Sequence, residues 1–402
     1  GCGVRAGPAF GPGAGAGGGR IVAQGTLAAI KRARDSVTGA ALRHPPRHPC
    51  FPRRPVRAQT PALRVHHATL HNLRLREVRI PLNRLVCVTG VSGSGKSSLV
   101  HGVLHPNLHA LLGRRRGQKP PALTGCTALT GSAPLARVLE VDQTPIGKTP
   151  RSCPATYVGI WSDIRKLFAQ TPEARIRGFD ASRFSFNTGT GRCASCDGQG
   201  LKRIAMSFMP DVTVECETCG GARYNHETLT VTWRGKTIAE VLAMNVSTAR
   251  DLFSVHPRIH RALSLLDEVG LGYLTLGQQS PTLSGGEAQR LKLVSELAKA
   301  DSSRGGPTLY LLDEPTVGLH IADVERLSGV LHRLVEAGHS VIVIEHNLDL
   351  IAEADWIIDL GPEGGNRGGR LVASGTPERL ITRKSPTAQA LADFIASRPP
   401  NS

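Results

Sequence analysis

Residues 85–104 read LVCVTGVSGSGKSSLVHGVL. The apolar run LVCVT, at 85–89, predicts a buried strand, and SLVHGVLH, from 98, predicts a helix. Between them GVSGSGKS, at 90–97, satisfies G-x-x-x-x-G-K-[ST]. Strand, Gly-rich loop and helix in that order make a phosphate-binding loop, because exposed amides and the positive end of the helix dipole converge on one anion. Gly90, Gly93 and Gly95 allow close approach of backbone to phosphate oxygens. Lys96 is expected to reach the β- and γ-phosphates of ATP and Ser97 to ligate magnesium, with Ser94 and Ser98 completing the nucleotide contacts.

Working outward, TLYLLDEP (308–315) and VIVIE (341–345) are further short apolar runs separated by helical patterns. Buried strands with helical connections predict an α/β fold, a mainly parallel sheet covered on both faces. Asp313 leaves one such strand beside the expected phosphate site, where a carboxylate positions magnesium. Glu314, the next residue, is the expected base that polarises an attacking water. His346 follows another strand end, where an imidazole can sense or orient the γ-phosphate; alone it would read as an ordinary loop histidine.

LSGGEAQRLKLVSELAK, from 283, places Ser284, Gly285 and Gly286 at the start of a predicted helix. Its free amides form a second phosphate-binding device. An SGG turn by itself is weak evidence, but here it precedes the acid pair in the order of an ATP-binding cassette. In that architecture the signature closes over nucleotide held by another unit's phosphate loop.

Cys193 and Cys196 form one CxxC pair and Cys216 and Cys219 another, with 19 residues between the pairs. That spacing suits a four-thiolate Zn2+ site, and the stretches around KRIAMSF and DVTVE predict a hairpin between the knuckles. Four thiolates leave no open coordination position, so the expected role is structural. Free thiols or disulfides are the competing reading, and redox regulation stays open.

Lys and Arg total 49 against 32 for Asp and Glu, a formal net charge of +17 that attracts a polyanion, although a compositional bias towards Arg would give the same excess. Aromatics are only 4%, which argues against a base-stacking platform. No apolar run approaches the roughly 20 residues that span a bilayer, and no secretory signal is visible, so a cytoplasmic location with no membrane partner is expected. Residues 40–62, rich in Pro and Arg, read as a linker, and 113–134 read as a basic surface loop.

Residues 11–30 (GPGAGAGGGRIVAQGTLAAI) and 361–380 (GPEGGNRGGRLVASGTPERL) share ten of twenty positions without a gap, which reads as an internal repeat. Taken with VTGVSGSGKSSL at 88, VDQTPIGKTPRSCPATY at 141, FSFNTGTGRC at 184, TLSGGEAQRLKL at 282, LYLLDEPTVGLH at 309, VIVIEHNLDLI at 341 and ADWIIDLGPEGG at 354, the chain resembles the UvrA family, the ATP-binding component of the excinuclease of bacterial nucleotide excision repair. The resemblance covers roughly residues 63–390 and the cysteine insertion ahead of LSGGE is its most specific part. It implies a DNA-damage-recognising ABC ATPase that binds double-stranded DNA, works as a dimer and hands damage to UvrB, its partner in the excinuclease. It also implies that Gln143 occupies the Q-loop. On this reading residues 1–62 hold the end of an upstream cassette and a linker, 63–150 the phosphate-loop part of the ATPase core, 151–274 the zinc-bearing insertion, and 275–402 the signature and acid-pair part. The chain then corresponds to the second cassette, and turnover requires a homodimer or a separate first-half cassette. Rival readings are the ATPase of a membrane transporter, a drug self-resistance paralogue, and an inactive fragment folded around zinc.

Overall fold

The computed structural model describes residues 7–11, 19–114, 119, 121–147, 149–204, 208, 212–300 and 306–398. These fall into two compact units, one drawn from residues 1–142 and 300–402, the other from 143–299.

The first unit is built on six strands: β1 (Leu85–Gly90), β2 (Arg137–Val141), β3 (Thr308–Asp313), β4 (Ser340–Ile344), β5 (Trp356–Gly361) and β6 (Arg370–Gly375). Their order across the sheet is β6-β5-β1-β4-β3-β2, and every neighbouring pair is parallel except β5 with β6. β1 and β4 are buried at every position and carry no polar alternation, which is what a sheet covered on both faces requires. On one face Val86, Val88, Leu309, Leu311, Ile342 and Ile358 pack with Leu99, Val103 and Leu104 of the segment that follows β1. The same core takes in Leu63, Val65, Val78 and Ile80 from an antiparallel sheet of Leu75–Pro81, Ala62–Ala68 and Ala128–Thr130. The last of these strands lies inside the stretch read as a surface loop. Arg64 pairs with Thr130 and Val65 with Leu129, so burial of Leu129 against the core overrides the polar character of its surroundings. Of that stretch, Arg115 and Arg116 lie outside the described residues.

The helix predicted after the phosphate loop starts as a π-helical segment, Ser98–Leu104, and continues as α1 (His105–Leu112). Further helices of this unit include α2 (Ile321–Glu336), the short α3 (Leu348–Glu353) and α4 (Pro386–Ala396). α2 buries Val324, Leu327, Leu331 and Leu334 at helical spacing.

The sequence repeat is also a structural one. Strand Gly7–Gly11 pairs with Arg20–Gly25 as β5 pairs with β6: Gly11↔Arg20, Phe10↔Ile21 and Ala9↔Ala23 mirror Gly361↔Arg370, Leu360↔Leu371 and Asp359↔Ala373. Both hairpins carry a register shift at the same place, between Ala9 and Phe10 and between Asp359 and Leu360. Thr26 then caps helix Leu27–Arg32, as Thr376 precedes helix Pro377–Leu380. Residues 12–18 of the first copy lie outside the described residues.

Beyond helix Val37–Arg43 the Pro/Arg-rich stretch forms no helix or strand, yet it is tied to the unit by buried polar contacts. The Glu353 carboxylate accepts the amides of Cys50 (2.5 Å) and Phe51 (3.2 Å) and pairs with His48 Nδ1 (2.5 Å). Asp355, fully buried, accepts the amides of Arg54 (2.8 Å) and of Leu85 (2.9 Å) and pairs with the Arg54 guanidinium. A buried carboxylate is tolerable only when so surrounded by donors. Burial acts against ionisation of Glu353, but His332, His48 and the Cys50 amide hold it well below the usual carboxylate range.

The second unit has an aromatic core in which Trp161, Phe168, Phe184, Phe186 and Tyr224 pack edge-to-face or tilted, while Trp233 stacks on Phe253 at 5.1 Å. The predicted hairpin is present as Leu201–Ile204 paired antiparallel with Val212–Glu215. Its connecting residues lie largely outside the described ones. The helix predicted after LSGG runs Gly285–Ala300.

Candidate functional site

The phosphate loop leaves β1 at Gly90, whose φ of +134° is open to glycine. A Cβ there would stand 2.0 Å from the Leu360 carbonyl oxygen and 2.8 Å from Ser94 Oγ, so no side chain fits. Gly93 (φ +73°) and Gly95 (φ +100°) take the same left-handed side of the map. Gly90→Ala is expected to cost about 3 kcal/mol or more, from strain and the collision together, read as a lower denaturant midpoint at unchanged m-value.

Neighbouring segments brace the loop. Asn72 Nδ2 donates to the Gly93 carbonyl (2.8 Å) and to that of Gly365 (3.0 Å). The amides of Gly365 and Gly369 donate to the carbonyls of Gly93 (3.0 Å) and Ser94 (3.1 Å). His71 Nδ1 lies 3.1 Å from Ser98 Oγ. Ser94 is buried, Ser97 stands in helical geometry as the residue before Ser98–Leu104, and Lys96 Nζ donates to the carbonyls of Gly90 (2.9 Å) and Val91 (3.0 Å). Burial lowers the Lys96 ammonium from its ordinary value, and Glu314, Asp313 and Asp359 act the other way.

Asp313 ends β3, and its carboxylate lies 3.2 Å from His101 Nε2. Glu314 takes a positive φ of +43°, held there by its amide donating to the Ile344 carbonyl (2.9 Å). Its carboxylate lies 3.5 Å from His346 Nε2, both side chains being about half exposed. Two strand ends, β3 and β4, thus bring the expected base and the expected γ-phosphate histidine together. Behind them Glu345 is buried, accepting the amides of Thr316 (3.0 Å) and of His346 (2.9 Å), which fixes the backbone that presents His346. Burial pushes the Glu345 carboxyl up against those hydrogen bonds.

Several participants escaped the sequence reading. His101 bridges Asp313 and Glu140, with Nδ1 2.5 Å from Glu140 Oε1, and His105 approaches the same Glu140 at 3.0 Å. The Asp313 carboxylate raises His101 above its ordinary value although burial opposes this. Its position one helical turn beyond Ser97, facing the strand bearing Asp313, was the available signal. Thr89 Oγ1 donates to buried Asp359 (2.8 Å), tying β1 to β5 just before the loop. Asn72 comes from a turn with no motif of its own.

Gln143 and the Ser284–Gly285–Gly286 turn belong to the second unit. Glu287 accepts the Ser284 amide (2.7 Å) while Ser284 Oγ accepts the Glu287 amide (3.3 Å), a reciprocal cap that sets where the helix starts. Gly285 is packed against Gln143, whose Cβ and Oε1 a Cβ on the glycine would meet at 3.2 and 3.3 Å.

The four expected metal ligands converge. All four Sγ atoms of Cys193, Cys196, Cys216 and Cys219 lie within 4.8 Å of one another. Cys193 Sγ is 3.9 Å from Cys216 Sγ, and Cys196 Sγ is 3.7 Å from Cys219 Sγ. Four sulfurs about 2.3 Å from one tetrahedral ion stand about 3.8 Å apart, so the cage fits Zn2+, and these separations are far beyond a disulfide. Amides turn towards the sulfurs, Gly200 N donating to Cys196 Sγ at 3.3 Å. For Cys216 burial acts upward, but the amides of Cys219 and Thr218 and the neighbouring thiols bring it down to about 6. Burial and the Cys196 and Cys216 thiols push Cys219 up to about 12. One thiolate forms readily and the next is opposed by it, a conflict that a central dication removes.

The chain is 54% identical over 391 residues to UvrABC system protein A of Thermus thermophilus, covering 97% of this chain and 40% of that protein. It is 51% identical over 371 residues to the protein of the same name from Aquifex aeolicus, covering 92% and 39%. Among solved structures it is similar to the crystal structure of UvrA2 from Deinococcus radiodurans, with a TM-score of 0.83, 46% identity, and coverage of 96% of this chain and 45% of that one. No family model matches the chain. The chain spans about two-fifths of the length of the curated relatives it matches.

Proposed function

The chain belongs to the UvrABC system protein A family, and from that premise we propose that it is the ATP-hydrolysing part of a protein that binds double-stranded DNA, senses lesion-induced distortion in nucleotide excision repair, and passes the site to UvrB. The observation that carries the ATP-hydrolysing part of this reading is the Glu314–His346 pair, 3.5 Å apart, beside a phosphate loop braced by Asn72, Gly365 and Gly369. The loop amides and Lys96 bind the phosphate chain. Glu314 accepts a proton from the attacking water, and His346 orients the γ-phosphate. Ser97 and Asp313 offer hard oxygen donors of the kind Mg2+ selects, and that ion, when bound, neutralises phosphate charge. His101 holds Asp313 by charge from behind.

Ser284–Gly286 act on nucleotide held by another cassette, so turnover needs two cassettes, from a second copy or from a separate first half. Cys193, Cys196, Cys216 and Cys219 hold structural zinc. No helix among the described residues is long and apolar enough to cross a membrane. The transporter reading is the less favoured one, because the relatives' names point to repair. With a net charge of +17, the DNA term is electrostatic, and lesion preference comes from duplex deformability. For about six phosphate contacts, affinity for a damaged duplex should fall on the order of 10³-fold between about 50 and about 200 mM salt. Fluorescence anisotropy at several salt concentrations tests this, and affinity that is undetectable at low salt or indifferent to salt would end the DNA-binding reading.

A further inference from the structure

A second set of metal-ligating side chains lies in the first unit and shares no residue with the phosphate loop or the four-cysteine cage. Nδ1 of His48, Sγ of Cys50 and a carboxylate oxygen of Glu353 lie within 4.8 Å of one another. We propose that these three residues form a divalent zinc-type site that fastens the Pro/Arg-rich segment to α3.

Donor chemistry comes first. One imidazole nitrogen, one sulfur and one carboxylate oxygen form the borderline-soft set that suits Zn2+, and hard cations such as Mg2+ or Ca2+ would leave the sulfur unused. Next is orientation. Asp349 Oδ1 stands 3.0 Å from His48 Nε2, so a carboxylate holds the far nitrogen and leaves Nδ1 facing the site, the arrangement that fixes ligating histidines elsewhere. Asp349 is itself held by Arg398 at 2.8 Å. Glu353 is buried, with 2% of its surface exposed, and is positioned by the amides of Cys50 and Phe51. Cys50 is exposed, which leaves an entry path and room for a water as fourth ligand.

Distances allow it with a small adjustment. Cys50 Sγ is 3.8 Å from His48 Nδ1, near the separation of neighbouring ligands around one ion. The His48–Glu353 pair, now 2.5 Å apart, must open by about 0.9 Å, since nitrogen and oxygen ligands on a tetrahedral Zn2+ stand about 3.4 Å apart. A proton holds that pair together where the ion would.

The test is zinc stoichiometry of the intact chain, by elemental mass spectrometry after desalting, for the parent and for Cys50→Ala. Two ions per chain in the parent and one in Cys50→Ala is the expected result. One in the parent and none in Cys50→Ala would keep this site while removing the four-cysteine zinc reading. An equal count in the two proteins overturns the proposal. Because Cys50 is exposed, the substitution should not disturb folding. An independent readout uses the parent alone: added Zn2+ should slow alkylation of Cys50 at least ten-fold, and an unchanged rate overturns the proposal as well.

Discussion

Replacing Glu314 by Gln lowers ATP turnover by about 10²- to 10⁴-fold and leaves nucleotide binding in place. The substitution keeps size and shape and removes only the proton acceptor. Its backbone is set independently of the side chain, by the amide's hydrogen bond to the Ile344 carbonyl at 2.9 Å. Folding should therefore be unchanged to within about 0.5 kcal/mol, since the side chain is half exposed. Turnover is best followed against protein concentration. A rise steeper than linear that vanishes in Glu314→Gln identifies composite sites assembled from two copies. A linear background indifferent to the substitution shows that a separate cassette has to be supplied, and it would remove Glu314 as the base in this chain alone.

Cys216→Ser, or a strong chelator, should release zinc and dissolve the segment between the two knuckles while the first unit keeps its stability. Structural zinc contributes about 10–16 kcal/mol in isolated finger peptides, and the hairpin here has few other supports. Val212–Glu215 is exposed at every position and, among the described residues, pairs only with Leu201–Ile204. Arg223 ties the module to the rest of its unit by donating to the Gly277 carbonyl (2.7 Å), a contact independent of the metal, so the aromatic core should survive. Hydrogen exchange resolves this. Amides of 193–223 should lose protection by several orders of magnitude, those of β1 and β4 should not, and full protection after verified zinc loss would contradict a structural role.

Much of the nucleotide site is legible because its residues act through backbone. Gly90, Gly93 and Gly95 are visible in the sequence since their positive φ values favour glycine, and the strand ends at Asp313 and Ile344 are marked by apolar runs that stop at charge. The thiols are legible because paired spacing is itself the geometry. What escapes is what depends on contacts between distant segments. Asn72 braces Gly93 from 21 positions away and Gly365 from 293, and a lone asparagine in a turn carries no signal of that. The π-helical opening at Ser98–Leu104 is equally silent, since its apolar spacing also suits an α-helix. The segment around His48–Arg54 reads as a linker from composition, and composition does not record that Glu353 and Asp355, about 300 residues later, supply the partners that hold it.

The paired hairpins amount to a controlled experiment carried within one polypeptide. Gly7–Gly11 with Arg20–Gly25, and Trp356–Gly361 with Arg370–Gly375, adopt one register with one dislocation at the same step, although the second is flanked by β1 in a six-stranded sheet and the first, among the described residues, pairs in a sheet of two. Surroundings differ and alignment does not. The register thus travels with the hairpin rather than with the sheet it joins, since the first strands, GPAFG and IIDLG, share only their last glycine and still pair in the same way.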